Sequence, residues 1–167
     1  MSEHKHHFLD GPMAVVESLE ILGARQACEA LIVQYAFLID FDQGAKVADL
    51  FTEDGVWEVV PPAGGDPIRF VGTEQIGQLF GNRDAGTRSR HVMTNIGVNV
   101  SDEDNAQGGS YVTLYRATGV EAGAAAPLTH PAAVGEYRDG FRRGDDGIWR
   151  FAHRQFHAGF TADDFNL

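Results

Sequence analysis

Three side chains carry the acid/base chemistry that this sequence could perform: Asp40, His91 and Tyr35. Asp40 closes a helical pattern in the apolar company of Leu38, Ile39 and Phe41. A carboxylate there is costly unless it is paired, and at a helix C-terminus it also opposes the helix dipole. His91 lies in the run RSRHVMTN, which reads as a strand. Alternation would place Ser89, His91, Met93 and Asn95 on one face of it. A helix carboxylate facing a strand imidazole in an apolar pocket makes a proton-transfer pair. Tyr35, on the same helix as Asp40, could bond a substrate carbonyl or a backbone group. Five residues at 100° per residue put it about 140° around the axis from Asp40, so both would reach one pocket only if the helix loosened before Asp40. Asn95 is expected to bond either a substrate oxygen or a loop.

His153 and His157 form an HxxxH spacing. The surrounding segment is aromatic-rich and follows a turn, so it reads as a strand, where four residues span roughly 13 Å. That is too far for one ion, and no metal site is expected. His153 would share a face with Trp149 and Phe151 and border the pocket. Trp57, Phe80, Tyr115 and Phe156 are the aromatic residues expected to line an apolar small-molecule cavity. Arg88, Arg90, Arg142, Arg143, Arg150 and Arg154 read as outer-face or interface charges. No Walker loop, GxGxxG or GxSxG occurs, which argues against nucleotide, flavin and serine-hydrolase chemistry; no cofactor is expected. Cys28, alone on an apolar helix face, reads as an inert buried thiol.

The elements that must position these groups emerge from the changing period of the apolar residues. A helix is predicted from about Ser18 to Phe41, stopped at Asp42-Gln43-Gly44 by glycine C-cap logic, then a short helix over Ala45–Phe51. A strand over Val56–Val60 is entered through Asp54-Gly55, and Ile68–Val71 returns beside it. Thr73 is expected to cap a helix over Glu74–Phe80. Strands come next over Arg88–Val100, Ser110–Gly119, Ala133–Arg143 and Ile148–Phe156, with a mobile loop expected over Glu121–Pro131. The order implies an α+β fold, a strongly curved mixed or antiparallel sheet with N-terminal helices on its concave face and a pocket between them. One domain over 17–167 is expected, preceded by a flexible tail over 1–16 that carries His4, His6 and His7.

The 167 residues carry a formal net charge of −11, which disfavours nucleic acid and anionic membrane surfaces as partners. No run approaches the ~20 apolar residues of a membrane span. The N-terminus lacks a signal-peptide apolar region, so a cytoplasmic location is the default expectation.

The ordered pieces YAFLID, LFTEDGVWE, GTEQIGQLF, RHVMTN and DGIWRFAHR resemble the SnoaL-like branch of the NTF2-like superfamily, over about residues 18–157. The resemblance implies the NTF2-like cone. The Asp40/His91 pairing is similar to the dyad of scytalone dehydratase and bile acid 7α-dehydratase. The latter has a tyrosine five residues before its aspartate, where Tyr35 stands. The resemblance implies a cofactor-independent lyase: histidine moves a proton, aspartate orients it and tyrosine polarises the substrate. Two positions depart: Ile39 stands where scytalone dehydratase has a tyrosine, and Tyr115 near the place of an acidic residue in the bile acid enzyme. The expected activity is elimination of water, or of a small carbonyl fragment such as formaldehyde, from a hydroxylated, hydrophobic, aromatic or polycyclic substrate. An isomerase or cyclase using the same dyad, a non-catalytic ligand-binding module and a ring-hydroxylating dioxygenase small subunit are the alternatives. A homodimer or homotrimer is expected by analogy.

Overall fold

The computed structural model describes residues 18–62, 64–127, 130–163 and 165. The tail expected over 1–16 lies outside them, as does part of the loop before Pro131. Helix α1 spans Leu19–Asp40, and the Ser18 hydroxyl accepts the Ile21 N–H at 3.2 Å as its N-cap. Cys28, Ile32, Tyr35, Ala36 and Ile39 form its buried stripe at three- and four-residue steps. The left-handed residue that ends the helix is Asp42, with φ 58°, and not Gly44. Gly44 is required for space: a Cβ there would sit 2.0 Å from the Phe80 carbonyl oxygen. A 3-10 helix comes next, over Gly44–Leu50.

Strand β1 runs over Phe51–Val60, five residues longer at its start than alternation suggested. Its register breaks between Phe51 and Val56, which interrupts the period-2 signal there. β2 is Ile68–Val71 and α2 is Gly72–Gly81. Thr73 does not cap α2; Val71 is the N-cap, and its N–H is taken by the Gln75 side chain at 2.9 Å. β3 (Arg88–Val100), β4 (Asn105–Ala117), β5 (Ala133–Arg143) and β6 (Trp149–Thr161) complete a six-stranded sheet.

The strand order is β2-β1-β6-β5-β4-β3, with β1 and β6 parallel and every other pair antiparallel. The sheet is curved and does not close. α1 lies on its concave side against β3, β4 and β6, and α2 packs on β1 and the 3-10 helix. Apolar side chains from α1 and the concave face meet there, among them Ile32, Tyr35, Trp57, Val112, Tyr137, Phe151 and Phe156. No helix among the described residues is long and apolar enough to cross a membrane.

Candidate active site

α1 ends where β3 passes. Asp40 is its last residue, and its carboxylate reaches across to the strand backbone and side chains. Asp40 Oδ1 lies 2.7 Å from His91 Nδ1 and accepts the Ser89 hydroxyl at 2.7 Å, while Oδ2 accepts the His91 backbone N–H at 2.7 Å. The two side chains are nearly dry, with relative exposures of 8% for His91 and 6% for Asp40. Burial by itself would raise the Asp40 pKa, but the hydrogen bonds from His91 and Ser89 outweigh it and hold the carboxyl below its ordinary value. An ionised Asp40 can only accept, so the proton on that contact belongs to His91 Nδ1; in the neutral ring this leaves Nε2 with the lone pair.

His91 forms part of the wall of a cavity of about 260 Å³. The rest of the wall is mostly apolar, from Ile39, Trp57, Phe70, Leu79, Phe80, Leu114 and Phe156 among others. Its polar groups are few: Tyr35, Tyr137, Ser89, Arg83 and Arg116 beside His91. Tyr35 is 1% exposed, and its oxygen accepts the Trp57 indole N–H at 3.0 Å. The Tyr137 hydroxyl is 3.5 Å away. Burial first, and Tyr137 after it, push the Tyr35 phenol well above its ordinary pKa, so it remains an O–H donor. Behind both phenols lies Arg154, fully buried, its guanidinium carbon 4.2 Å from the Tyr35 ring centre and 3.8 Å from that of Tyr137. It donates to Asp139 at 3.2 Å. Burial, against the pull of Arg154, pushes the Asp139 carboxyl up to about 7.

Asp40, His91 and Tyr35 are thus brought to one place, though not in the manner expected. The helix stays regular to Asp40. Tyr35 faces the cavity directly, while Asp40 stands behind His91 and is absent from the cavity wall. Trp57, Phe80 and Phe156 line the cavity as expected. Asn95, Tyr115 and His153 do not.

Asn95 has φ 50° and sits in a break of register between Thr94 and Gly97, so it is exposed and the alternation restarts beyond it. Tyr115 is paired with Arg90, one step from the His91–Leu114 pair, and therefore lies on the opposite face of the sheet. For His153 the cause is a second bulge. Phe141 pairs with Phe151 but Gly140 pairs with His153, so Ala152 is the extra residue. The bulge turns His153 to the outer face, where Nε2 lies 3.0 Å from the buried Glu58 carboxylate. It also turns Arg154 inward, against the expectation of an outer-face charge. Arg83 and Ser89 are polar residues of the cavity wall that the sequence reading did not single out. Ser89 had a signal, since it lies two residues from His91 on the same strand face. No group of three His, Cys, Asp or Glu that could hold a metal occurs among the described residues.

No curated protein matches the chain in sequence. Among solved structures, a protein of unknown function from Mycobacterium tuberculosis, Rv3472, is 26% identical, with a TM-score of 0.66, covering 85% of this chain and 80% of that one. An NTF2-like protein with a cystatin-like fold from Novosphingobium aromaticivorans is 23% identical, with a TM-score of 0.66 and coverage of 87% and 88%. A protein of the same organism described as a candidate scytalone dehydratase is 21% identical, with a TM-score of 0.68 and coverage of 89% and 92%. The SnoaL-like domain model matches residues 20–155. With that match over most of its length, the chain belongs to the SnoaL-like family, and its open, helix-lined sheet is the fold of the NTF2-like protein.

Proposed function

We propose that the protein is an acid/base lyase that eliminates water, or a small carbonyl fragment, from a hydroxylated aromatic substrate bound in the cavity. The observation that carries this is the 2.7 Å contact between Asp40 Oδ1 and His91 Nδ1 on the wall of an apolar cavity. In elimination of water, His91 Nε2 takes a proton from a carbon beside a substrate carbonyl. The C–H electron pair becomes the new double bond, the C–O bond breaks, and the imidazolium returns its proton to the departing hydroxide. Asp40 steadies the imidazolium between the two transfers. The Tyr35 O–H, its oxygen already accepting from Trp57, donates to the substrate oxygen on which charge develops.

The cavity, at about 260 Å³, falls just under the usual range for small-molecule sites of ~300–1,000 Å³, which favours a single ring over a polycyclic one. A screen of hydroxylated aromatic compounds with mass-resolved products tests the reading. Loss of 18 or 30 mass units separates water from formaldehyde, and an unchanged mass identifies isomerisation. His91→Ala and Asp40→Asn are each expected to lower turnover by about 10²–10⁴-fold, with the circular dichroism of the native fold retained. Full turnover in both variants ends the proposal.

A further inference from the structure

We propose that the cavity takes a substrate bearing a carboxylate, and that Arg83 is the group that holds it. This rests on reading the cavity as a substrate site but not on the reaction carried out there. The chain as a whole is strongly acidic, yet no aspartate or glutamate occurs among the described residues of the cavity wall, while two arginines, Arg83 and Arg116, do. Asp40 stands behind His91, with both of its oxygens engaged. The neighbouring hollow shares Ser89 and Arg116 with the cavity and adds Arg88, Arg90 and His130, again with no described carboxylate on its wall. Arg88 is paired with Asp42 at 3.6 Å, but the described walls of both hollows still present positive side chains and no carboxylate, the arrangement that draws in an anion.

Arg83 is placed to receive it. Its Nη1 donates to the Ile39 carbonyl at 2.6 Å and its Nη2 to the Ser89 hydroxyl at 3.1 Å. These bonds fix the plane of the guanidinium at the end of α1. A guanidinium has five N–H donors, and two are used here. Those that remain belong to a side chain on the cavity wall. A planar, pre-oriented fork suits a carboxylate better than any neutral oxygen. Ser89 bonds both Arg83 and Asp40, so a carboxylate held by Arg83 brings the carbon next to it close to His91. An apolar cavity of about 150 Å³ admits benzene. The volume here therefore admits a ring with a short acidic side chain.

Calorimetric titration of the full chain with 3-phenylpropionate and with 3-phenylpropanamide tests this. The acid should bind at least about 10-fold more tightly than the amide, the effect of one hydrogen-bonded charge pair. That preference should shrink as salt is raised. Arg83→Met should abolish most of the preference and Arg83→Lys keep part of it. Arg116→Met, which removes the other arginine of the wall, should narrow it. Ser89→Ala, which removes one of the two bonds that fix the guanidinium, should weaken it less than Arg83→Met does. Equal binding of acid and amide, binding of neither, or an undiminished preference in Arg83→Met overturns the proposal. The preference is read without turnover, so it is measured separately from the lyase reading. An intact preference in a protein that eliminates nothing would sink the lyase reading and leave the anion site standing.

Discussion

Ser89 shows how much of this site depends on side chains that hold other side chains in place. Its hydroxyl supplies one of three hydrogen bonds to a nearly dry carboxylate, and removing it leaves Asp40 Oδ1 with His91 alone. Ser89→Ala is expected to cost about 1.5–3 kcal/mol of stability at neutral pH, as for a hydrogen bond to a charged group, measurable by urea unfolding. The pH dependence has a definite sign. The folded pKa of Asp40 is depressed, so its stabilising contribution is present above the unfolded value near ~3.9 and is lost as pH falls through the folded value. The gap between Ser89→Ala and wild type should therefore close in acid. Cys28 is the opposite case: burial pushes its thiol up to about 12, and it is expected to resist thiol reagents until the protein unfolds.

At the scale of elements, two single-residue insertions into strands decide what faces the cavity. One is at Asn95 in β3 and the other at Ala152 in β6. Asn95 holds a left-handed backbone that a β-branched residue rarely adopts. Asn95→Val is expected to destabilise by about 1–3 kcal/mol, and Asn95→Gly to be neutral or better, by chemical denaturation. The fit of the 3-10 helix against α2 is equally strict. Gly44→Ala would drive a methyl into the Phe80 carbonyl. Backbone would have to move, and α2 carries Leu79 and Phe80 of the cavity wall. A loss of about 1–3 kcal/mol is expected, with weaker binding of the aromatic probes.

At the scale of the whole molecule, the buried Arg154–Asp139 pair ties stability to pH in a direction opposite to Asp40. The folded pKa of Asp139 is raised to about 7 from an ordinary value of 3.8. Between those values the unfolded chain has released the proton and the folded protein has not. The contribution of this group to stability is therefore full below the lower value and declines as pH rises toward the upper one. Asp139→Asn cannot ionise, so its stability relative to wild type should improve between about pH 4 and 7. Unfolding midpoints measured at both ends of that window check the sign.

The family resemblance and the cost of an unpaired carboxylate singled out Asp40, His91 and Tyr35 as candidates; the order of elements and the curved α+β sheet with helices on its concave face were determined by the sequence alone, because apolar periodicity and helix punctuation are local properties. Trp57, Phe80 and Phe156 were legible as cavity aromatics for the same reason. The tertiary structure decided what bulges control. Each extra residue inverts the alternation beyond it, so Asn95 and His153 left the cavity and Arg154 entered the core. A bulge is set by pairing with a neighbouring strand, and that pairing leaves no mark in the residues themselves. Arg83 was invisible for a related reason: its place beside Ser89 and the last carbonyls of α1 exists only once α2, α1 and β3 have converged.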